Sequence, residues 1–189
     1  MRKILLILFL ALSGCSSASQ SENDNQGTTK NTEKNEVKSE FGFTLNEFIN
    51  EYNKGLENNH MSAMEEPISK LDGSGEIKQT QSNFVQVLAQ EKDNANPDRN
   101  YIISGMYNKD GVLSGINLLS QSDENFKASQ KGLGAAYILF TTFGFNQEDL
   151  NRALKEADPD YSFTNDVCVL TLKMRPSFKA FIIEIRPPK

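Results

Sequence analysis

The sequence predicts an α+β domain in which an antiparallel sheet of four or five strands is covered on one face by two or three helices. Alternating apolar and polar residues indicate strands on either side of two short turns, "NKDG" at residues 108–111 and "RPS" at residues 175–177. Helical spacing of apolar residues appears before and between these hairpins, without the regular strand–helix alternation of a parallel sheet. The expected order is one helix, several strands, one or two helices and a final hairpin.

The first helix is predicted to begin within "FGFTLNEF", residues 41–48. Thr44 suits the N-cap because its hydroxyl can accept the amide of Glu47, whose carboxylate can reach back to the Thr44 amide. Phe43 and Phe48 flank this pair and predict a hydrophobic staple. The helix should run from about residue 45 to 57, because apolar residues there recur at helical spacing: Leu45, Phe48, Ile49, Tyr52 and Leu56.

Strands are predicted after an ambiguous stretch at residues 59–75, which has room for one short helical turn. "EIKQTQ" indicates a strand weakly and "NFVQVLAQ" more firmly. "YIISGMY" and "VLSGINLLS" form the clearest hairpin, because they flank an Asp-Gly turn.

A longer helix is predicted next, with Ser122 as its cap and "DENFKASQKGLGAAYILFTTF" as its body. Phe126, Leu133, Tyr137 and Phe140 repeat at helical spacing along it. The two glycines at positions 132 and 134 weaken such a helix by about 1 kcal/mol each. They therefore either let the helix lie close to a sheet or divide it.

The stretch "FGFNQEDL", residues 143–150, repeats the pattern of the first helix start with Asn146 as N-cap and Asp149 three residues later. We interpret this as a local structural motif, because the segments that follow the two copies differ too much for a duplicated unit. The closing hairpin comprises "DVCVLTLKM" and "FKAFIIEIR". Alternation places Cys168 on an inward face, which predicts a buried core thiol.

The N-terminus, "MRKILLILFLALSGC", has two basic residues, an apolar run, small residues and Cys15, which is the layout of an export signal over residues 1–14. The tetrapeptide "LSGC" resembles the lipobox of bacterial lipoproteins. This resemblance implies cleavage before Cys15, lipidation of its thiol and anchoring in a membrane through the N-terminal lipid, outside the cytoplasm. The anchor would lie on the outer face of the membrane in a cell with one membrane. In a cell with two, Ser16 after the cysteine resembles proteins sent to the outer membrane.

Residues 15–40 are predicted to form the lipidated Cys15 and a disordered tether, because this stretch is polar and has no aromatic residue before Phe41. Residues 41–189 are predicted to form a single domain. With Cys15 lipidated, Cys168 is the only cysteine left, so that domain has no internal disulfide.

No residue pattern predicts a catalytic site, a metal site or a cofactor. His60 is the only histidine and is expected at the end of the first helix, and no cysteine or histidine pair has zinc spacing. "DGSGE" at residues 72–76 lacks the later glycine and glutamate of a calcium loop and predicts a plain turn. Adjacent acids such as Glu65 and Glu66 are weak candidates for a catalytic pair.

The charge distribution argues against general nucleic-acid binding. The chain has a formal net charge of −5, and loss of Arg2 and Lys3 with the signal would change it to −7. The C-terminal end is nevertheless basic. It indicates either a basic interaction face that contacts anionic headgroups, an acidic wall polymer or an acidic partner, or a solvated hairpin protected from edge pairing. Its members are Lys173, Arg175, Lys179, Arg186 and Lys189.

The function expected from these features is that of a lipid-anchored, extracytoplasmic binding or interaction protein of the bacterial cell envelope, without catalytic activity. An envelope protein or an anionic surface is the expected partner. One alternative is a small carboxylate-dependent envelope hydrolase, which needs two close carboxylates in a cleft. Another is a carrier of a small hydrophobic ligand, which needs an apolar cavity of several hundred cubic ångströms.

Overall fold

The computed structural model describes residues 39–61, 64–80, 83–125, 127–156 and 160–189. These residues fall within one unit, Asn35–Lys189. Cys15, the predicted signal peptide and nearly all of the predicted tether lie outside the described residues.

The described strands form one antiparallel sheet of seven, in the order β1-β2-β3-β4-β7-β6-β5. The strands are β1 (Lys78–Gln79), β2 (Phe84–Lys92), β3 (Asn100–Tyr107), β4 (Leu113–Gln121), β5 (Asp160–Thr164), β6 (Val169–Arg175) and β7 (Ala180–Arg186). Three helices accompany them: α1 (Leu45–Asn58), α2 (Gln130–Thr142) and α3 (Gln147–Glu156). The prediction of four or five strands is therefore wrong, and what the structure supports is the broader α+β class.

The count was too low because both edge strands carry weak sequence signals. At one edge, β1 has two residues and pairs only with β2. At the other edge, β5 pairs only with β6. Tertiary contacts support β5, since the ring of Phe163 lies 5.6 Å from that of Phe140 and 5.4 Å from that of Phe145. A five-residue edge strand of this kind depends on its neighbours more than on its own residues.

The predicted start of the long helix at Ser122 is also wrong, because α2 begins at Gln130. Ser129 is its N-cap, and the Ser129 hydroxyl accepts the Gly132 amide at 2.9 Å. The preceding segment turns around Asp123, whose carboxylate accepts the amides of Asn125 and Lys127 at 2.9 Å each. A carboxylate that binds amides two and four residues ahead offers the backbone an alternative to a helix. Phe126 lies outside the described residues.

The core lies between the helices and one face of the sheet. Buried residues of three central strands are register partners on this face: Leu118 pairs with Ile183, which pairs with Leu172. Helix α2 packs on β3 and β4, α3 on β5 and β6, and α1 on α2. Gly132 allows the close approach of α2 to β4, because a Cβ there would lie 2.9 Å from the Ser120 Cβ. Of the two roles considered for this glycine, close packing on the sheet is the one observed.

Candidate functional site

The candidate site is a groove of about 640 Å³ between α2, α3 and residues 61 and 64–68, which we call the α2–α3 groove. Its lining is mostly apolar, and the apolar side chains come from all three segments: Met61, Met64, Ile68, Leu133, Tyr137, Leu150 and Leu154. The polar groups among its described lining residues are carboxylates, amides and the Tyr137 hydroxyl, without a basic side chain: Glu65, Glu66, Gln130, Gln147 and Asn151. An apolar groove with a few polar groups at its rim is typical of binding sites for apolar groups.

The segment that forms one wall of the groove is held in place by hydrogen bonds to distant elements. The Ser69 amide donates to Glu91 Oε1 at 2.8 Å, and the Leu71 amide donates to Asn53 Oδ1 at 2.7 Å. Gly134 of α2 lets Ile68 lie against the helix, because a Cβ at Gly134 would lie 2.5 Å from Ile68 Cδ1. These contacts join the wall to α1, α2 and β2.

Glu66 is one of the acidic residues that line the groove. Its carboxylate accepts the amides of Asn94 and Ala95 at 2.7 and 2.9 Å. These backbone hydrogen bonds lower the pKa of Glu66 from its ordinary value, despite an opposing effect of burial. The Glu66 side chain therefore stays ionised and fixes the loop after β2 against the groove.

A buried ion pair lies close to Glu66, on which the charge of Lys131 acts. Lys131 Nζ is 3.2 Å from Glu91 Oε2, and the Tyr101 hydroxyl donates to Glu91 Oε1 at 3.2 Å. Burial of Glu91 raises its pKa, but hydrogen bonds from Ser69 and the interaction with Lys131 outweigh burial, so the pKa is lowered. This pair joins β2, β3 and α2.

Two further carboxylates have a comparable structural role. Asp93 accepts the Ser129 hydroxyl at 2.5 Å and the Gln130 amide at 2.8 Å, so it lies at the positive end of α2. Asp123 accepts Arg99 Nε and Nη2 at 3.0 and 2.7 Å. The Arg99 hydrogen bonds are the largest cause of the lowered pKa of Asp123. A carboxyl general acid needs the opposite change, a raised pKa.

The five basic residues predicted as an interaction face are spread along the β6–β7 hairpin and its C-terminal end. Arg175 and Lys179 flank the turn between β6 and β7, whereas Arg186 and Lys189 lie at the other end of the hairpin. The register places these ends about 20 Å apart, at roughly 3.3 Å per residue. Lys173 lies between them.

Several of these basic side chains make ionic or polar contacts. Lys173 Nζ is 2.8 Å from Glu184 Oε2, and Arg175 Nη1 is 3.0 Å from Asp160 Oδ1. Arg186 Nη1 donates to the Ser114 carbonyl at 3.3 Å. The predicted residues therefore lie at the turn, along β6 and at the end of β7.

The remaining candidate residues occupy structural positions. His60 is exposed just after α1, and Asp72 forms a plain turn in which its carboxylate accepts the Ser74 amide at 2.9 Å. Cys168 is buried, and burial raises the pKa of its thiol to about 12. Cys15 lies outside the described residues. The described residues contain no group of three or more histidines, cysteines and acidic residues arranged to hold a metal ion.

Sequence reasoning missed the groove, although part of its lining was visible. Leu133 and Tyr137 were predicted on one helical face, but Met61 and Met64 lie in the stretch whose pattern was ambiguous. The signal that remained unused was the pair of methionines close to Ile68, because flexible apolar side chains in a polar stretch indicate a surface that packs on something else.

Comparisons with protein-family models, with curated proteins and with solved structures find no match to this chain. None of the described helices is long and apolar enough to cross a membrane.

Proposed function

We propose that this chain is a lipid-anchored, extracytoplasmic binding or interaction protein of the bacterial cell envelope, which acts without catalysis. The export signal and the "LSGC" tetrapeptide support the anchor. The α2–α3 groove supports the binding role, with an apolar part of the partner as its occupant.

The apolar lining of the groove is the observation that carries this proposal. Its volume of about 640 Å³ lies within the usual range of roughly 300–1,000 Å³ for ligand sites. Met64 is 54% exposed there, and methionine side chains adapt their shape to an apolar surface. The carboxylates of Glu66 and Glu91 hold neighbouring segments in place through backbone hydrogen bonds, so that little ordering is needed when a partner binds.

A carrier of a small hydrophobic ligand is the second candidate, because the groove is large enough for one. Such a ligand would lie between α2, α3 and residues 61 and 64–68. A carrier would retain its ligand after purification, whereas an interaction protein would contact a second protein.

Site-specific photocrosslinking in cells tests the proposal. A photoreactive residue at Met64 should give a discrete crosslinked protein in the anchored chain. The matched control is the same residue at Ile77, which is 43% exposed and does not line the groove. Cys15→Ala should release the chain from the membrane fraction and remove the crosslink.

The outcomes separate the two candidates. A protein captured from position 64 and not from position 77 supports the interaction role. Lipid found by mass spectrometry in the purified wild type, and absent after Leu133→Glu, supports the carrier. Equal crosslinking at both positions, with no bound lipid, would contradict a function of the groove.

A further inference from the structure

The two helical walls of the α2–α3 groove line it with the same residue spacing. The lining positions of the two helices are Gln130, Leu133, Gly134 and Tyr137 in α2, and Gln147, Leu150, Asn151 and Leu154 in α3. Each set follows the pattern i, i+3, i+4, i+7, which places its members on one face of a helix. At roughly 1.5 Å per residue, each face runs for about 10 Å, or two turns. The groove therefore lies between two short helical faces.

These faces carry apolar side chains that the rest of the described fold leaves partly uncovered. Within residues 131–140 of α2, the three positions that are not buried all line the groove: Leu133, Gly134 and Tyr137. Leu154 of α3 is also only partly buried, and Met64 is exposed on the third wall. The apolar face of another helix, laid along the groove, would cover these side chains.

The walls favour a helical occupant over an extended peptide. Two of the three walls are helices, whose backbone amides and carbonyls are hydrogen-bonded internally. An extended peptide would find no matching backbone groups on these two walls, and its own amides and carbonyls would lose water without gaining partners. A helix satisfies its own backbone and presents only side chains to the groove.

The charged groups of the groove indicate the charge of its occupant. The described lining residues include two carboxylates and no lysine or arginine. Glu66 already accepts two backbone amides, and the charges of Lys131 and Arg99 act on it. Glu65 is exposed, and no donor or cation of the described chain contacts its carboxylate. A cation on the occupant would supply that contact.

We propose that the α2–α3 groove binds a short amphipathic helix of a partner protein, with an apolar face in the groove and a lysine or arginine at Glu65. This inference rests on the proposed binding function and specifies its occupant. The apolar side chains of the helix, three and four residues apart, supply most of the affinity. The ion pair with Glu65 selects a basic helix over an acidic one. Met61 and Met64 adapt their shape to the side chains that enter.

Three synthetic peptides test the inference on the chain from residue 15 onward, carrying Cys15→Ala. The first is an amphipathic peptide of about 14 residues, or four turns, with leucines at helical spacing, lysines elsewhere and one tryptophan. The second has glutamates in place of the lysines. The third is scrambled, with the composition of the first but its leucines on all sides of the helix.

The sequence contains no tryptophan, so the anisotropy of the peptide's tryptophan fluorescence measures binding directly. The lysine peptide should bind at least about fivefold more tightly than either the glutamate peptide or the scrambled peptide. The scrambled peptide carries the same charge, so its weaker binding would show that the apolar face is required.

Charge reversal locates the ionic contact. Glu65→Lys should weaken binding of the lysine peptide by about fivefold and strengthen binding of the glutamate peptide, because an attraction becomes a repulsion. Glu76→Lys is the matched control, since Glu76 is also exposed and does not line the groove. It should change neither affinity by more than about twofold at roughly 0.15 M salt, where distant charges are largely screened.

Removal of an apolar contact should affect both charged peptides alike. Met64→Ser should weaken binding of the lysine and glutamate peptides by the same factor, about fivefold, because Met64 contributes apolar area and no charge. Ile77→Ser is the matched control, since Ile77 is 43% exposed and does not line the groove. It should leave both affinities unchanged. Circular dichroism checks that each variant is folded.

Any of several results would overturn the inference. They are absence of binding by the lysine peptide, equally tight binding of either other peptide, equal effects of Glu65→Lys and Glu76→Lys, and no effect of Met64→Ser. Copurified lipid or a dimer that excludes the peptide, detected by native mass spectrometry, would assign the groove to another occupant.

Crosslinking from position 64 in cells tests the binding function separately. A discrete protein captured there, together with no response to the peptides, would remove the helical occupant and leave the binding function standing. Failure of both experiments would remove both proposals.

Discussion

The two helix starts at residues 41–48 and 143–150 make the same reciprocal hydrogen bonds with different side chains. In the first, the Glu47 amide donates to Thr44 Oγ1 at 3.2 Å, and the Thr44 amide donates to Glu47 Oε2 at 2.7 Å. In the second, the Asp149 amide donates to Asn146 Oδ1 at 2.9 Å, and the Asn146 amide donates to Asp149 Oδ2 at 3.1 Å. Both pairs satisfy amides that a helix start would otherwise leave unpaired.

The glycines of the two stretches differ although the letters around them agree. Gly144 has a φ of +82° and ends α2, where the Phe145 amide donates to the Phe140 carbonyl at 2.8 Å. Gly42 is not among the residues with positive φ, and a Cβ there would meet no atom within 4 Å. One glycine therefore connects two helices, whereas the other lies in a bend before α1 and carries no such constraint.

The two stretches also meet in space. The ring of Phe143 lies 5.8 Å from the ring of Phe43 and 5.8 Å from that of Phe48. The repeated aromatic residues thus pack the two helix starts against each other. The comparison teaches that chemically similar side chains at the same spacing form equivalent caps, while the preceding chain decides what the glycine must do.

The largest expected effect is at the fourth helical residue of each start. Phe48→Ala should lower the free energy of unfolding by about 3–5 kcal/mol, because a buried ring is lost. Leu150→Ala should cost less, about 2 kcal/mol, because Leu150 lines the groove and water can occupy the space. Urea unfolding measures both. A larger loss for Leu150→Ala would contradict the assignment of the first start to the core.

The next largest effects should come from substituting the two glycines, and these effects should differ between the two stretches. Gly144→Ala should cost about 1–2 kcal/mol, since alanine is strained in the left-handed region. Gly42→Ala is the matched control and should change the free energy of unfolding by no more than about 0.5 kcal/mol. Equal effects of the two substitutions would show that the glycines have the same role.

Substitution of the two N-cap residues should lower the free energy of unfolding equally, and by less than the glycine substitution at position 144. Thr44→Ala and Asn146→Ala should each lower the free energy of unfolding by about 1 kcal/mol, because each removes the acceptor of one helix-start amide. Serine at either position keeps that acceptor and should retain most of the stability. A cost confined to one stretch would mean that only one of the two hydrogen-bonded pairs stabilises its helix.

The smallest expected effect concerns the first helix start, residues 41–48, and the way its contribution to stability depends on pH. The hydrogen bond from the Thr44 amide, followed by that from its hydroxyl, lowers the pKa of Glu47 in the folded chain. The stability that Glu47 contributes is therefore present above its unfolded-state pKa and is lost as the pH falls through its folded-state pKa. Glu47→Gln should remove this part of the acid dependence of the melting temperature. A second substitution, Thr44→Ala, should then leave the acid dependence unchanged.

Local patterns predicted the elements that depend on neighbouring residues. The first helix was expected over about residues 45–57 and occupies Leu45–Asn58, because its cap, staple and apolar stripe all lie within one stretch. The hairpins around "NKDG" and "RPS" also formed where alternation placed them. The predicted start of α2 at Ser122 was wrong. The chain turns around Asp123, which binds Arg99 from a distant part of the sequence, before the helix begins.

The candidate sites were less predictable than the fold. Helical spacing places Leu133 and Tyr137 on one face of α2, but only the tertiary structure brings that face beside α3 and Met64. The basic residues looked like one face in the sequence, but the strand register separates them along the hairpin. Spacing along a strand determines which side a residue faces, while distance between residues depends on the whole hairpin.

The sequence by itself determined the caps, the strand alternation, the inward position of Cys168 and the expectation of a lipid anchor at Cys15, because each depends on residues close together in the chain. The tertiary structure decided the number of strands, the start of α2 and the α2–α3 groove. Each of these depends on contacts between distant segments, such as Ile68 with Gly134 and Ser69 with Glu91. Short-range hydrogen bonds and periodicity depend on residues that are close in the sequence. A groove forms only where distant segments are brought together.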